Sequence, residues 1–176
     1  MAITVRAATD EDAIDMAAVI VRSWQVAYRN IIPDEFLDGL SIEKRAERML
    51  RDSKEYKGTS FYFVAENEGK VIGSLLLSAC RDEDKAEAKA GEIIAMYLFR
   101  ECWDKGFGRC MMDYSIAFFE RMGCREIVLW VLEENHRARR FYEKSGFGFD
   151  GTRQVLELGK PLPAIRYVRE LSARSG

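Results

Sequence analysis

Residues 91–132 read as strand, helix, strand, and no other feature narrows the possible folds as much. Gly91–Phe99 reads as a strand. Gly106–Met122 carries Met111, Tyr114, Ser115, Phe118 and Met122 along one side at helical spacing, with Gly123 placed to end the helix. Ile127–Leu132 is an unbroken apolar run, which suits a strand covered on both faces. A strand–helix–strand unit makes a right-handed crossover between parallel strands.

The residues before it call for antiparallel pairing. Ser60–Glu66 and Lys70–Cys80 are separated by the turn Asn67-Glu68-Gly69, too short for anything but a hairpin. Gly91–Phe99 extends that meander after a polar stretch, Arg81–Lys89. Ile3–Ala7 reads as a first strand, and Phe147–Val155 and Ala164–Leu171 as closing strands with Pro161 and Pro163 in their connection. The expectation is an α+β class with a mixed sheet of about seven strands.

Helices fill the remaining segments. Thr9-Asp10-Glu11-Asp12 has the form of a capping box, followed by Ile14, Ala17, Ala18, Val21, Trp24 and Tyr28 at helical spacing. Pro33 suits the first position of a second helix through Leu40. Ser41 suits the cap of a third through about Leu50, whose Glu43, Lys44, Arg45, Glu47 and Arg48 read as a solvated face. Asn135–Lys144 is a last helix, ended by Ser145-Gly146.

With 176 residues and only three prolines, the chain reads as one domain, residues 1–176, with no linker. A net charge of -2 argues against general binding to nucleic acid. The first residues lack the apolar core of a secretory signal, and no run is long enough to span a membrane, so a cytoplasmic protein with no membrane partner is expected. Cys80, Cys102, Cys110 and Cys124 form no CxxC pair and His136 is the single histidine, so reduced thiols and no metal are expected.

Two stretches suggest chemistry. The loop Trp103-Asp104-Lys105-Gly106-Phe107-Gly108-Arg109 enters a helix directly after a strand. Free N–H groups and a partial positive charge at that helix start suit a phosphate, and glycines let it come close. The Rossmann fingerprint and the P-loop ending are both absent, so the loop alone reads equally as a plain helix start. In the second stretch Asn135 is a suitable cap and Tyr142 lies two turns on, with small Ala138 between. Alone, these read as a cap and core aromatics.

Together the stretches resemble the GNAT superfamily of acyl-CoA-dependent N-acyltransferases. Gly106 and Gly108 match its R/Q-x-x-G-x-G/A loop, and Asn135, Ala138, Phe141, Tyr142, Lys144, Gly146 and Phe147 match its second motif. The order of elements from Ile3 to Leu171 agrees. Trp103 departs from the usual Arg or Gln, Asp104 from a Gly or basic residue, and Arg100 from proline.

The resemblance implies a strongly curved sheet, splayed between its fourth and fifth strands, with acetyl-CoA in the opening. The loop 103–109 would hold the diphosphate through backbone N–H groups. Met96-Tyr97-Leu98 would pair with the pantetheine amides as strand addition. Tyr142 would act as general acid toward the leaving thiol, since a phenol is roughly matched to it. Glu92, expected to share a face with Ile94 and Met96, would take the amine's proton; it reads otherwise as a solvated carboxylate. A backbone N–H near Tyr97 or Leu98 would polarise the thioester.

The implied acceptor is an amine, expected to be a small molecule. Alternatives are a protein N-terminus or lysine, or a regulatory domain that only binds acyl-CoA. Trp24 and Tyr28 lie where relatives build the acceptor wall, and suit core packing equally. Asp82, Glu83, Asp84 and Glu87 would attract a polyamine but read first as a solvated hairpin. The family also implies a possible homodimer.

Overall fold

The computed structural model describes residues 3–171. Its strands are β1 (Thr4–Ala7), β2 (Ser60–Asn67), β3 (Lys70–Ala79), β4 (Ala90–Leu98), β5 (Glu126–Leu132), β6 (Gly148–Glu157) and β7 (Pro161–Glu170). They form one sheet in the order β1-β2-β3-β4-β5-β7-β6. Only β4 and β5 pair in parallel. The helices are α1 (Ala13–Ala27), α2 (Asp34–Asp38), α3 (Ile42–Glu55), α4 (Phe107–Arg121) and α5 (His136–Lys144).

The crossover is the expected one: β4, α4 and β5 follow in the chain, and α4 packs on one face of the sheet. Phe107, Met111, Met112 and Phe119 of α4 join Leu75, Leu77, Ile93, Leu98, Ile127 and Leu129 in the largest core cluster. Each fully buried side chain of this kind contributes about 1.5–3 kcal/mol. The opposite face carries α1 and α3, with Met16, Ala17, Ile20, Ala46 and Met49 against Val64 and Tyr97. Ile32, just before α2, and Leu37, within it, cover Leu132, Leu162 and Ala164.

Local chemistry sets several boundaries as expected. Thr9 and Asp12 form the capping box, which opens a single 3-10 turn before α1. Ser41 Oγ accepts the Lys44 N–H at 3.2 Å and starts α3. Gly123, at φ +73°, closes α4.

Other expectations are corrected. Ile14 and Met122 are exposed, because the buried stripe of α1 runs through Met16, Ala17 and Ile20 and that of α4 through Met111, Ser115 and Phe119. Residues 83–88 form a 3-10 helix where a featureless polar stretch was expected. Pro161 and Pro163 lie inside β7, not before it. The Pro163 carbonyl accepts the Glu133 N–H, so its ring nitrogen points beyond the end of β5 and away from β6. No bond of the β6–β7 ladder is lost there, which is where a strand tolerates proline.

Candidate active site

β4 and β5 pair only between Ala90–Ile93 and Glu126–Leu129, then separate. The Phe99 N–H donates to the Ile72 carbonyl, so by antiparallel alternation Tyr97 also turns its backbone to β3. Met96 and Leu98 therefore present theirs to the opening. The Leu98 carbonyl accepts from Ser23 Oγ and from Trp103 Nε1, both at 2.9 Å. One carbonyl thus ties α1 and the glycine loop to the lip of the opening. The backbone of Met96 and the N–H of Leu98 remain along it.

The glycine loop is shaped by two left-handed residues, Asp104 at φ +59° and Gly106 at φ +82°. The first backbone bond of α4 runs from the Cys110 N–H to the Gly106 carbonyl. The N–H groups of Phe107, Gly108 and Arg109 are left without a helical acceptor, no side chain caps them, and no acid lies in the first turn. Phe107 is buried and pins the loop to the core. Lys105 is exposed, and Arg109 donates to Asp113 at 2.7 Å. Asp104, which had no role in the sequence, is bound by Arg137 of α5.

The start of α5 is closed instead. Asn135 Oδ1 accepts the Ala138 N–H at 3.1 Å, the cap expected from the sequence. The Tyr28 hydroxyl, at the end of α1, faces the Tyr97 hydroxyl and the Asn135 side chain, with Tyr142 nearby. Burial, then the Tyr97 and Tyr142 phenols, push Tyr28 well above the ordinary tyrosine value, against the pull of Asn135. Burial also holds Tyr142 well above that value, with Tyr97 adding to it. Trp24 meets Tyr28 edge-on at 5.1 Å and lies 6.4 Å from the Tyr97 ring. Trp24, Tyr28, Tyr97, Asn135, Ala138 and Tyr142, spread over the whole chain, thus gather at the mouth of the splay.

Glu92 is placed differently from the expectation. A β-bulge in β4 at Ile94 separates the pairs Leu77–Ile93 and Leu76–Ala95. The extra residue shifts alternation, so Glu92 shares its face with Ile94, as expected, and with Ala95 and Tyr97, while Met96 lies on the other. Nor is Glu92 solvated: it is 2% exposed. Arg81 holds both its oxygens, through Nη2 at 2.7 Å and Nε at 3.0 Å, and adds its backbone N–H at 3.2 Å.

The acidic segment is solvated as expected at Glu83, Asp84 and Glu87, but it forms a 3-10 turn and two of its acids reach a buried arginine. Asp82, Asp84 and, from β6, Asp150 all accept from Arg166, which is 4% exposed. One arginine thus offsets part of their charge, while Glu83 and Glu87 stay exposed.

A cleft of about 390 Å³ lies between α3 and the Glu92 face of the sheet, walled by Arg45, Arg48, Tyr62, Ser74, Arg81 and Ala95. The charge pattern of α3 places Arg45 on a solvated face. It turns inward instead, its Nε fully buried. The signal was present: Arg45 follows Ile42 by three residues and precedes Met49 by four, which puts it on the apolar stripe. Among the described residues no group of three or more His, Cys, Asp or Glu could hold a metal. No helix among them is long and apolar enough to cross a membrane.

Comparison with known proteins agrees with this architecture. The model of the Acetyltransferase (GNAT) family matches residues 24–147. An uncharacterized N-acetyltransferase, YuaI of Bacillus subtilis, is 34% identical over 134 residues, 76% of this chain and 73% of its own. The peptidyl-lysine N-acetyltransferase YjaB of Escherichia coli is 26% identical, over 94% of this chain and 95% of its own. The PaiA N-acetyltransferase of Thermoplasma acidophilum, solved in complex with coenzyme A, superposes with a TM-score of 0.79 at 21% identity, covering 97% of this chain and all of that one.

Proposed function

The chain belongs to the GNAT acetyltransferase family, and on that footing we propose that it moves the acetyl group of acetyl-CoA directly onto the amine of a small molecule. The observation that carries this reading is the convergence of Tyr28, Tyr97, Asn135 and Tyr142 beside the open edge of β4. The cleft on the Glu92 face, at about 390 Å³, has the size of a small-molecule pocket. A protein lysine is the second reading, favoured by the name of the Escherichia coli relative.

The residues suit acetyl-CoA. The uncapped N–H groups of Phe107, Gly108 and Arg109 form an anion cradle for its diphosphate, with Lys105 adding charge. Gly106 supplies the turn and Trp103 anchors the loop. Met96 and Leu98 offer backbone groups to the pantetheine amides, and Asn135 and Ala138 bound the channel on the α5 side. The cosubstrate brings an activated thioester.

In this reading the Leu98 N–H polarises the thioester carbonyl, since the Tyr97 N–H is turned to β3. Tyr142 stays protonated through the neutral range and gives its proton to the departing sulfur as the C–S bond breaks and the C–N bond forms. Glu92 receives the amine's proton through water, once the Arg81 side chain, 66% exposed, swings off its carboxylate. Trp24 and Tyr28 wall the acceptor side.

The test follows thiol release from acetyl-CoA with a panel of amines and lysine peptides. Tyr142→Phe is expected to lower kcat by about 10²–10⁴-fold, and Glu92→Gln to lower kcat/KM most at acid pH. Wild-type rates in both variants across pH would sink the assignment of roles. Faster turnover of peptides than of any small amine would favour the second reading.

A further inference from the structure

The cleft beneath α3 has a chemical bias that the acetyl-transfer machinery does not use. Three of the side chains that wall it are arginines, in a chain of net charge -2. Two are engaged: Arg48 donates to Asp52 at 3.4 Å, and Arg81 holds Glu92. Arg45 differs. Its Nε is buried and has no hydrogen-bond partner among the described residues. Burial works against its charge, and Arg48 beside it adds repulsion. A buried guanidinium donor without an acceptor is costly, on the order of 1–3 kcal/mol or more.

A second donor is orphaned in the same region. Trp24 Nε1 is buried without a partner among the described residues. Both residues flank one side chain: Trp24 lies 6.4 Å from the Tyr97 ring, and Arg45 feels the Tyr97 phenol. Tyr97 in turn faces Tyr28 and Tyr142. Of the three arginines lining the cleft, Arg45 is thus the one that no carboxylate pairs among the described residues, and it leaves the cleft one uncompensated cation. An amine acceptor without acidic groups would leave that cation unpaired.

We propose that the cleft receives an oxyanion carried by the amine acceptor itself, a carboxylate or a phosphonate, and that Arg45 is its principal partner. The acceptor class is then amino acids and their close analogues, rather than polyamines or plain alkylamines. This rests on the acetyltransferase reading above and narrows its substrate. Charge-assisted pairing of a guanidinium with an oxyanion has the strength to decide such a preference.

The experiment compares acceptors in matched sets that share one amine: each common amino acid, its amide, its decarboxylated amine and its aminophosphonate. Thiol release from acetyl-CoA gives kcat/KM for each. At least one oxyanion-bearing member is expected to exceed its amide by tenfold or more. Arg45→Met is expected to collapse that ratio toward one, and Arg45→Lys to keep part of it. If Arg45→Met is misfolded by circular dichroism, Arg45→Lys and Arg45→Gln decide. Whether the carboxylate or the phosphonate leads identifies the anion.

Equal turnover of acids and amides, or a ratio untouched in Arg45→Met, overturns the proposal. A calorimetric titration with the same acids separates the two levels of the argument. If no amine releases thiol but an acid binds wild type and not Arg45→Met, the anion site stands and the transfer reading falls. If amines are acetylated with no preference for acids, only the anion site falls. If acids neither react nor bind, the anion site is overturned.

Discussion

Arg137 Nη2 donates to both carboxylate oxygens of Asp104, at 2.8 and 2.9 Å, while its guanidinium lies 4.5 Å from the centre of the Trp103 ring. The pair spans from the glycine loop to the first turn of α5. It places a carboxylate beside the helix start proposed to take a diphosphate, and it occupies a cation that would otherwise face that anion. Both side chains are largely exposed, so the pair adds little stability.

Asp104→Asn should therefore lower the KM for acetyl-CoA several-fold at low salt, by removing a like charge and releasing Arg137. The gain should shrink as salt screens it. Initial rates across a sodium chloride series check this. A raised KM at every salt concentration would mean that Asp104 serves to shape the loop.

Two glycines should fail for different reasons. At Gly106 a Cβ would meet nothing within 4 Å, but φ is +82°, so Gly106→Ala suffers backbone strain alone. A loss of about 1–2 kcal/mol is expected, with weaker acetyl-CoA binding. At Gly91 a Cβ would fall 2.2 Å from the Phe119 ring. Gly91→Ala should cost about 1–3 kcal/mol by overpacking the crossover, and Phe119→Leu should relieve part of it. Denaturant melts of the three variants and the double mutant provide the measurement.

Stability at high pH should depend on the buried phenols. Tyr28 and Tyr142 have folded-state values raised above the ordinary value of 10.0. A raised value favours the protonated form in the folded state. The contribution is full below about pH 10 and is lost as pH rises further. Wild type should lose stability progressively as pH rises above about 10, and Tyr28→Phe and Tyr142→Phe should each flatten that loss. Identical slopes in all three proteins would contradict the burial of these hydroxyls.

At the other end of the pH range, the capping box is the sensitive element. Arg6 donates to both oxygens of Asp12, at 2.8 and 2.9 Å, and that bond leads in lowering Asp12 from 3.8 to about 2. A lowered value favours the charged form, so the stabilisation is present above about pH 4 and is lost as pH falls toward 2. Asp12→Asn should cost about 1–2 kcal/mol at pH 7, the half-exposed Arg6 tempering the effect. The difference from wild type should vanish near pH 2, which urea titrations along that range can follow.

Much of the molecule is legible along the chain because the physics behind it is local. Periodicity marked the helices and strands, Thr9, Ser41 and Asn135 marked where helices begin, and Gly123 marked where α4 ends. The pairing of the glycine loop with the Asn135–Tyr142 segment was also local in each part, and it identified the family.

Tertiary structure decided which side each residue faces and which charges meet. The bulge at Ile94 set Glu92 and Met96 on opposite faces, and no property of Glu92's neighbours in sequence announces a bulge; it exists only against β3. Asp104 found its partner 33 residues away and Asp82 its own 84 away, separations across which sequence spacing carries no information. Arg45 sat on an apolar stripe in plain view, yet its meaning came from burial in the fold that leaves its Nε without a partner among the described residues. Local patterns specify elements. Ion pairs, buried charges and the open edge of β4 arise where elements distant in sequence are forced together, and there the candidate site acquires its chemistry.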